Sequence, residues 1–280
     1  MKMQLVAKKD FLDAKRSRSL YIVGALFTLL GLGVGYAYGE AASNTQGPTG
    51  PALIQFLLVA GLFFLPLVAL FFSQNDIVSK RKNGEMKVLL GLPFSREDIL
   101  FGSFLGRSAV SVTILAVYFG VAHVVALVML APIDVVVSLA AFLFTALFLV
   151  VFVGIAVGIS ASVGSTTKAS VGALGLFFVF WVLWDFIPSI VLYVFNGFQF
   201  PSGPTPEWVA IFSSAEPFVG ARNLTIGLIP KLQGSFSLFG GPYPDNPAYY
   251  QQPVAGALVL AFWLLVPLGL GYVRFRDADL

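Results

Sequence analysis

The chain has 280 residues, of which 58% are hydrophobic and 11% charged, with one histidine and no cysteine. A soluble domain carries about 25% charged residues, so so few charges point to lipid as the natural solvent. The absence of thiols excludes disulfides and thiolate metal sites. A single histidine, His123, is a poor basis for a zinc centre or a His-based triad.

Residues 1–19 form a charged leader. Its helical periodicity places Met3, Val6, Ala7, Phe11 and Ala14 on one face, with Asp10 inside that face and Leu5 and Leu12 outside it. The pattern predicts an amphipathic helix lying in the inner headgroup layer. Six apolar stretches follow, at 20–38, 51–73, 108–130, 135–162, 169–195 and 253–273. Each is long enough to cross about 30 Å of hydrocarbon. The first is too long, behind too long a leader, to read as a cleaved signal peptide.

Between the second and third spans, residues 74–107 are the one long loop on the basic side. A short helix is expected near 84–90, then a break at Gly91-Leu92-Pro93. Ser95, with Asp98 three residues on and Glu97 between, predicts a capped helix start leading through Ile99 and Leu100 into span three. Leu89, Leu90, Leu92, Phe94, Ile99 and Leu100 are too apolar for a freely solvated loop, so they predict a contact with a partner or with the span ends. Between spans five and six, residues 196–252 are rich in Pro, Gly and aromatics. Short helices are expected at 208–212 and 215–229 and irregular chain at 236–250. A connection of this length tends to be functional.

Orientation follows from the basic residues, which are enriched in cytoplasmic loops. Of the 17 Lys and Arg, all but Arg222 and Lys231 fall in the leader, the 74–107 loop, Lys168 and the tail with Arg274 and Arg276. This split predicts both termini and 74–107 in the cytoplasm, and 39–50 and 196–252 outside. It also accounts for the net charge of +3 without any nucleic-acid partner.

Few groups could carry chemistry inside the spans. Asp185 is the one acid deep in a span. The sixteen Leu, Ile, Val and Phe residues around it outweigh an insertion cost of about 2.5–3.5 kcal/mol. Asp185 and mid-span His123 are the candidate substrate-path residues, set against plain roles bonding freed backbone or packing. Gly24/Gly31/Gly35, Gly154/Gly158 and Gly172/Gly175 read as helix-packing surfaces. Asn223-Leu224-Thr225 matches a glycosylation triplet. Gly164-Ser165-Thr166-Thr167-Lys168 lacks the spacing of a phosphate-cradling loop, so the chain is not expected to hydrolyse ATP by itself.

Three segments together resemble the ABC-2 type permeases of ATP-binding-cassette transporters. They are the basic leader from Val6 to Arg18, the loop from Asp76 to Gly102 with its Leu89-Leu90, Pro93 and Ser95-Arg96-Glu97-Asp98-Ile99-Leu100, and Ala215 to Arg222. The likeness is nearest the permeases of nitrous-oxide-reductase maturation, although Ser103 stands where Lys is frequent. The resemblance implies an all-α membrane protein of six spans, with an elbow helix at 1–19, a coupling helix in 74–107 and outer helices in 196–252. It implies one permease domain over 1–280, in the cell membrane and not an enzyme alone. The partner is a separate ATPase that carries the ATP and Mg, with a second permease or a homodimer. Coupling to that ATPase is expected at Leu92, Pro93, Phe94, Ser95, Arg96, Glu97 and Asp98, and transport is expected to be export. The alternative is a stand-alone secondary transporter or channel, for which Asp185 and His123 are a thin supply of ionisable groups.

Overall fold

The computed structural model describes residues 2–43, 52–199, 204–236 and 243–278, and no strand occurs among them. Parts of the expected outer segments 39–50 and 236–250 lie outside the described residues. The chain runs through α1 (Lys2–Lys15), α2 (Arg18–Ala42), α3 (Ala52–Ser73), α4 (Asp76–Lys82), α5 (Glu85–Gly91) and α6 (Arg96–Val128). There follow α7 (Val135–Ser162), α8 (Thr166–Phe178), α9 (Phe186–Phe195), α10 (Glu207–Ser214), α11 (Pro217–Leu228) and α12 (Pro253–Arg276). Among the described residues, six helical segments are long and apolar enough to cross a membrane.

Local chemistry sets the ends. Ser17, Ser95, Asp134 and Ser165 each accept a backbone N–H at the start of α2, α6, α7 and α8, satisfying donors that the helix leaves orphaned. At Ser95 the bond is reciprocal, because Asp98 accepts from the Ser95 N–H at 3.0 Å. Span three is therefore one unbroken helix from the capped loop to Val128.

The expected fifth span, 169–195, divides. A π-helical turn at Val179–Leu183 follows α8, and α9 starts afresh at Phe186. Pro188 has no N–H to give the carbonyl of Trp184 four residues back, so the regular ladder fails at this point. That carbonyl accepts from Ile187 N–H at 3.3 Å instead.

Helix α7 lies at the centre, packed against α3, α6, α8, α11 and α12, while α2 lies on α6. The glycine surfaces hold in part. A Cβ on Gly271 would lie 2.6 Å from the Gly158 Cα, so α12 crosses α7 at backbone distance. Gly31 and Gly35 admit α6 in the same way, whereas Gly24 and Gly175 face open space. At the end of the bundle away from the termini, Phe218 of α11 inserts between α7 and α8. Its ring centroid is 5.0 Å from Phe148, 5.6 Å from Phe152 and 5.1 Å from Trp181. Asn223 of the glycosylation triplet is 1% exposed inside α11, so a glycan has no access there.

Candidate functional site

The densest polar construction lies where α1, α4 and α6 meet, at the basic end of the bundle. Helix α1 forms as its periodicity predicts, and its apolar face rests on α6. Gly102 and Gly106 make this possible. A Cβ on Gly102 would lie 2.6 Å from the Val6 Cβ, and one on Gly106 would lie 2.9 Å from the Ala7 carbonyl oxygen. Asp10, which interrupts the apolar face in sequence, is 2% exposed.

Its partner is Lys80. The Lys80 Nζ is 2.5 Å from Asp10 Oδ2, 3.0 Å from Asp76 Oδ2 and 2.6 Å from Ser103 Oγ. An ammonium has three N–H groups, and here each faces a different acceptor. Arg107 closes the cluster, its Nε donating to Asp76 Oδ1 at 3.0 Å and its Nη2 to the same oxygen. Two cations and two carboxylates balance in a place where one unpaired charge would be strongly unfavourable. Burial, and then the charge of Asp76, push the Asp10 carboxyl upward against the opposing pull of Lys80. At the rim Lys9 bridges Asp13 at 3.1 Å and Glu85 at the head of α5.

The loop carried on this base has a packed side and a bare side. Gly84, at φ +74°, turns the chain into α5 in a conformation that L side chains rarely adopt. Met86 and Leu89 point inward and are buried, as are Ile99 and Leu100. Val88 and Leu92 point outward, at 67% and 51% exposure. Of the residues expected to meet a partner, Leu92 and Pro93 protrude and Phe94 packs inward against the core. Ser95 and Asp98 are engaged in the helix cap. Arg96 and Glu97 turn to α12. The Arg96 Nη1 donates to the Phe275 carbonyl and, at 2.9 Å, to that of Ala278, with its guanidinium 5.5 Å from the Phe275 ring centroid. Tyr272 donates its hydroxyl to Glu97 Oε1 at 2.5 Å.

Asp185 and His123, the expected substrate-path residues, lie on different elements and have different partners. Asp185 is exposed at the break within the fifth span and accepts from Ser213 Oγ of α10 at 2.9 Å. His123 Nδ1 is 2.7 Å from the Phe119 carbonyl oxygen one turn back on α6, and its ring stacks on Phe119. Neither residue shares a partner with the other. Nearer to Asp185 is Glu216, 8% exposed at the start of α11, whose carboxyl is pushed up to about 8 by burial and then by the Asp185 charge.

Sequence reasoning missed the Asp10–Lys80–Asp76–Arg107 cluster. Its signals were an acid inside the leader's apolar face and an Asp–Lys pair four residues apart just past span two. Glu216 was marked only by the proline after it, which opens α11.

Among the described residues, six apolar helices, an amphipathic helix strapped to the third of them and a capped loop with a bare apolar tip define a multi-pass membrane protein. The sequence model of the family described as "ABC-2 family transporter protein" matches residues 4–280. The chain is 30% identical over 201 residues to the probable ABC transporter permease protein NosY of Pseudomonas aeruginosa, covering 70% of this chain and 73% of that protein. It is 29% identical over 197 residues to the protein of the same description from Stutzerimonas stutzeri, covering 69% and 71%. The chain belongs to the ABC-2 transporter family.

Proposed function

We propose that this chain is the permease subunit of an ATP-binding-cassette exporter. A separate ATPase binds at the tip of the 74–107 loop and supplies the energy of ATP hydrolysis. The whole of 1–280 acts as one permease domain, working with a second permease copy in the cell membrane. Both termini and the loop face the cytoplasm.

The observation that carries the reading is the pairing of Val88 and Leu92, both bare and apolar, on a loop whose preceding helix α4, packed on α5, contributes Asp76 and Lys80 to the buried charge cluster. An apolar pair on a stiff support is what a docking contact uses, because little order has to be gained on binding. The family membership supports the ATPase partner, and the placement of basic residues supports the orientation.

The test is purification of the tagged chain from its native membrane. The expected result is co-purification of an ATPase subunit with magnesium-dependent hydrolysis by the complex and none by the stripped chain. Hydrolysis by the chain alone, or transport by the chain reconstituted without any ATPase, would overturn the reading.

A further inference from the structure

We infer that Asp10 and Lys80 are a positioning pair that makes the leader helix α1 a moving part of the docking loop, so that displacement of the loop carries α1 with it. The inference rests on the functional reading above.

The geometry is specific. The three acceptors of Lys80 sit on three elements: Asp10 on α1, Asp76 on its own α4, and Ser103 on α6. The packing of α1 at Gly102 and Gly106 holds it on α6 but makes no tie from α1 to α4. A buried ammonium with three directed bonds has one satisfied position. The backbone contacts at Gly102 and Gly106 leave no layer of side chains between α1 and α6 to absorb a shift. At the rim Lys9 also reaches Glu85 at the head of α5, but both side chains are more than a third exposed, where an ion pair contributes little, so the buried pair carries the tie. A push at Val88 and Leu92 therefore meets α1 and α6 together. Nothing of this kind would be required of a leader that merely lay on the membrane surface.

The charge balance allows position to be separated from folding. Losing Lys80 alone leaves two carboxylates against one guanidinium, and losing Asp10 alone leaves two cations against one carboxylate. Losing both leaves Asp76 and Arg107, which still pair at 3.0 Å. The double variant Asp10→Asn/Lys80→Met thus keeps a balanced interior while cutting the tie between α4 and α1.

The chain has no native cysteine, so single nitroxide labels can be placed at Leu5→Cys on the outer face of α1 and at Asn83→Cys between α4 and α5. Both positions are exposed and lie outside the cluster. The labelled complexes, each with its co-purified ATPase, are examined in nanodiscs before and after ATP, magnesium and vanadate, which arrest the hydrolysis cycle.

With the native pair, both labels are expected to change their spectra. In the double variant the Asn83 label should still respond, and the Leu5 response should be lost at unchanged ATPase stoichiometry. Lys80→Arg with Asp10 native, which keeps the ion pair, should retain the Leu5 response. A role in folding alone would depress both labels or neither. Equal responses of both labels in the double variant, or a silent Leu5 label with the native pair, would overturn the inference. Failure of any ATPase to co-purify would instead overturn the functional reading, and this inference with it.

Discussion

The two ends of the bundle are held by different physics. At the end that carries the termini, α1, α4 and α6 are joined by directed bonds between buried full charges, and Arg96 ties the start of α6 to the last turns of α12. At the opposite end, α10 and α11 are held by aromatic contacts and by indole N–H groups. Trp184 donates to the Phe212 carbonyl at 3.0 Å and Trp263 to the Ala215 carbonyl at 2.8 Å. Aromatic faces tolerate small slides that a three-way ammonium does not. The first end is built to keep its shape under load, and the second to adjust. The acids differ in the same sense. Asp10 and Asp76 are matched by cations, whereas Glu216 is buried beside another acid, Asp185.

The largest effect is expected at the charged end. Lys80→Met leaves two buried carboxylates facing one guanidinium and should destabilise by about 3–5 kcal/mol. Adding Asp10→Asn should recover part of this loss, so chemical unfolding in detergent should give a non-additive cycle. Additive losses would mean that the two side chains act independently, and the contrast between the ends would weaken.

A smaller and pH-dependent effect is expected at the opposite end. Glu216 is pushed up to about 8 from an ordinary 4.5, so the folded protein holds this proton over a range where the unfolded chain has released it. The stability it contributes is complete below 4.5, declines as pH rises, and is gone above about 8. Glu216→Gln should flatten that decline in thermal unfolding measured across this range. An unchanged slope in the variant would show that Glu216 is not the titrating group.

Much of this architecture was legible in the sequence. Span lengths, the capping box at Ser95 and Asp98, and the two outer helices each depend on residues close in the chain, which a linear reading can reach. The break in the fifth span was harder to read. Pro188 marked it, but the run of apolar residues around Asp185 reads as continuous in composition. The charge cluster depends on Asp10 and Lys80, seventy positions apart. Asp10 read as a flaw in an amphipathic face because its partner lay on another helix. In the loop the apolar residues were rightly judged too many for solvent. Which of them would be bare was set by α5 and α6 packing, which buries Leu89, Ile99 and Leu100 and leaves Val88 and Leu92 outside.

That division of the loop is tested most directly by Val88→Asp/Leu92→Asp. Both side chains are solvent-exposed, so the substitutions should change stability by no more than about 0.5 kcal/mol each. Burying two unpaired carboxylates at a docking contact is strongly unfavourable. The measurement is the amount of ATPase recovered per permease on affinity purification. The account predicts loss of the ATPase at unchanged abundance and thermal stability of the permease. Full recovery of the ATPase with the double variant would contradict it and place the docking surface elsewhere on the chain.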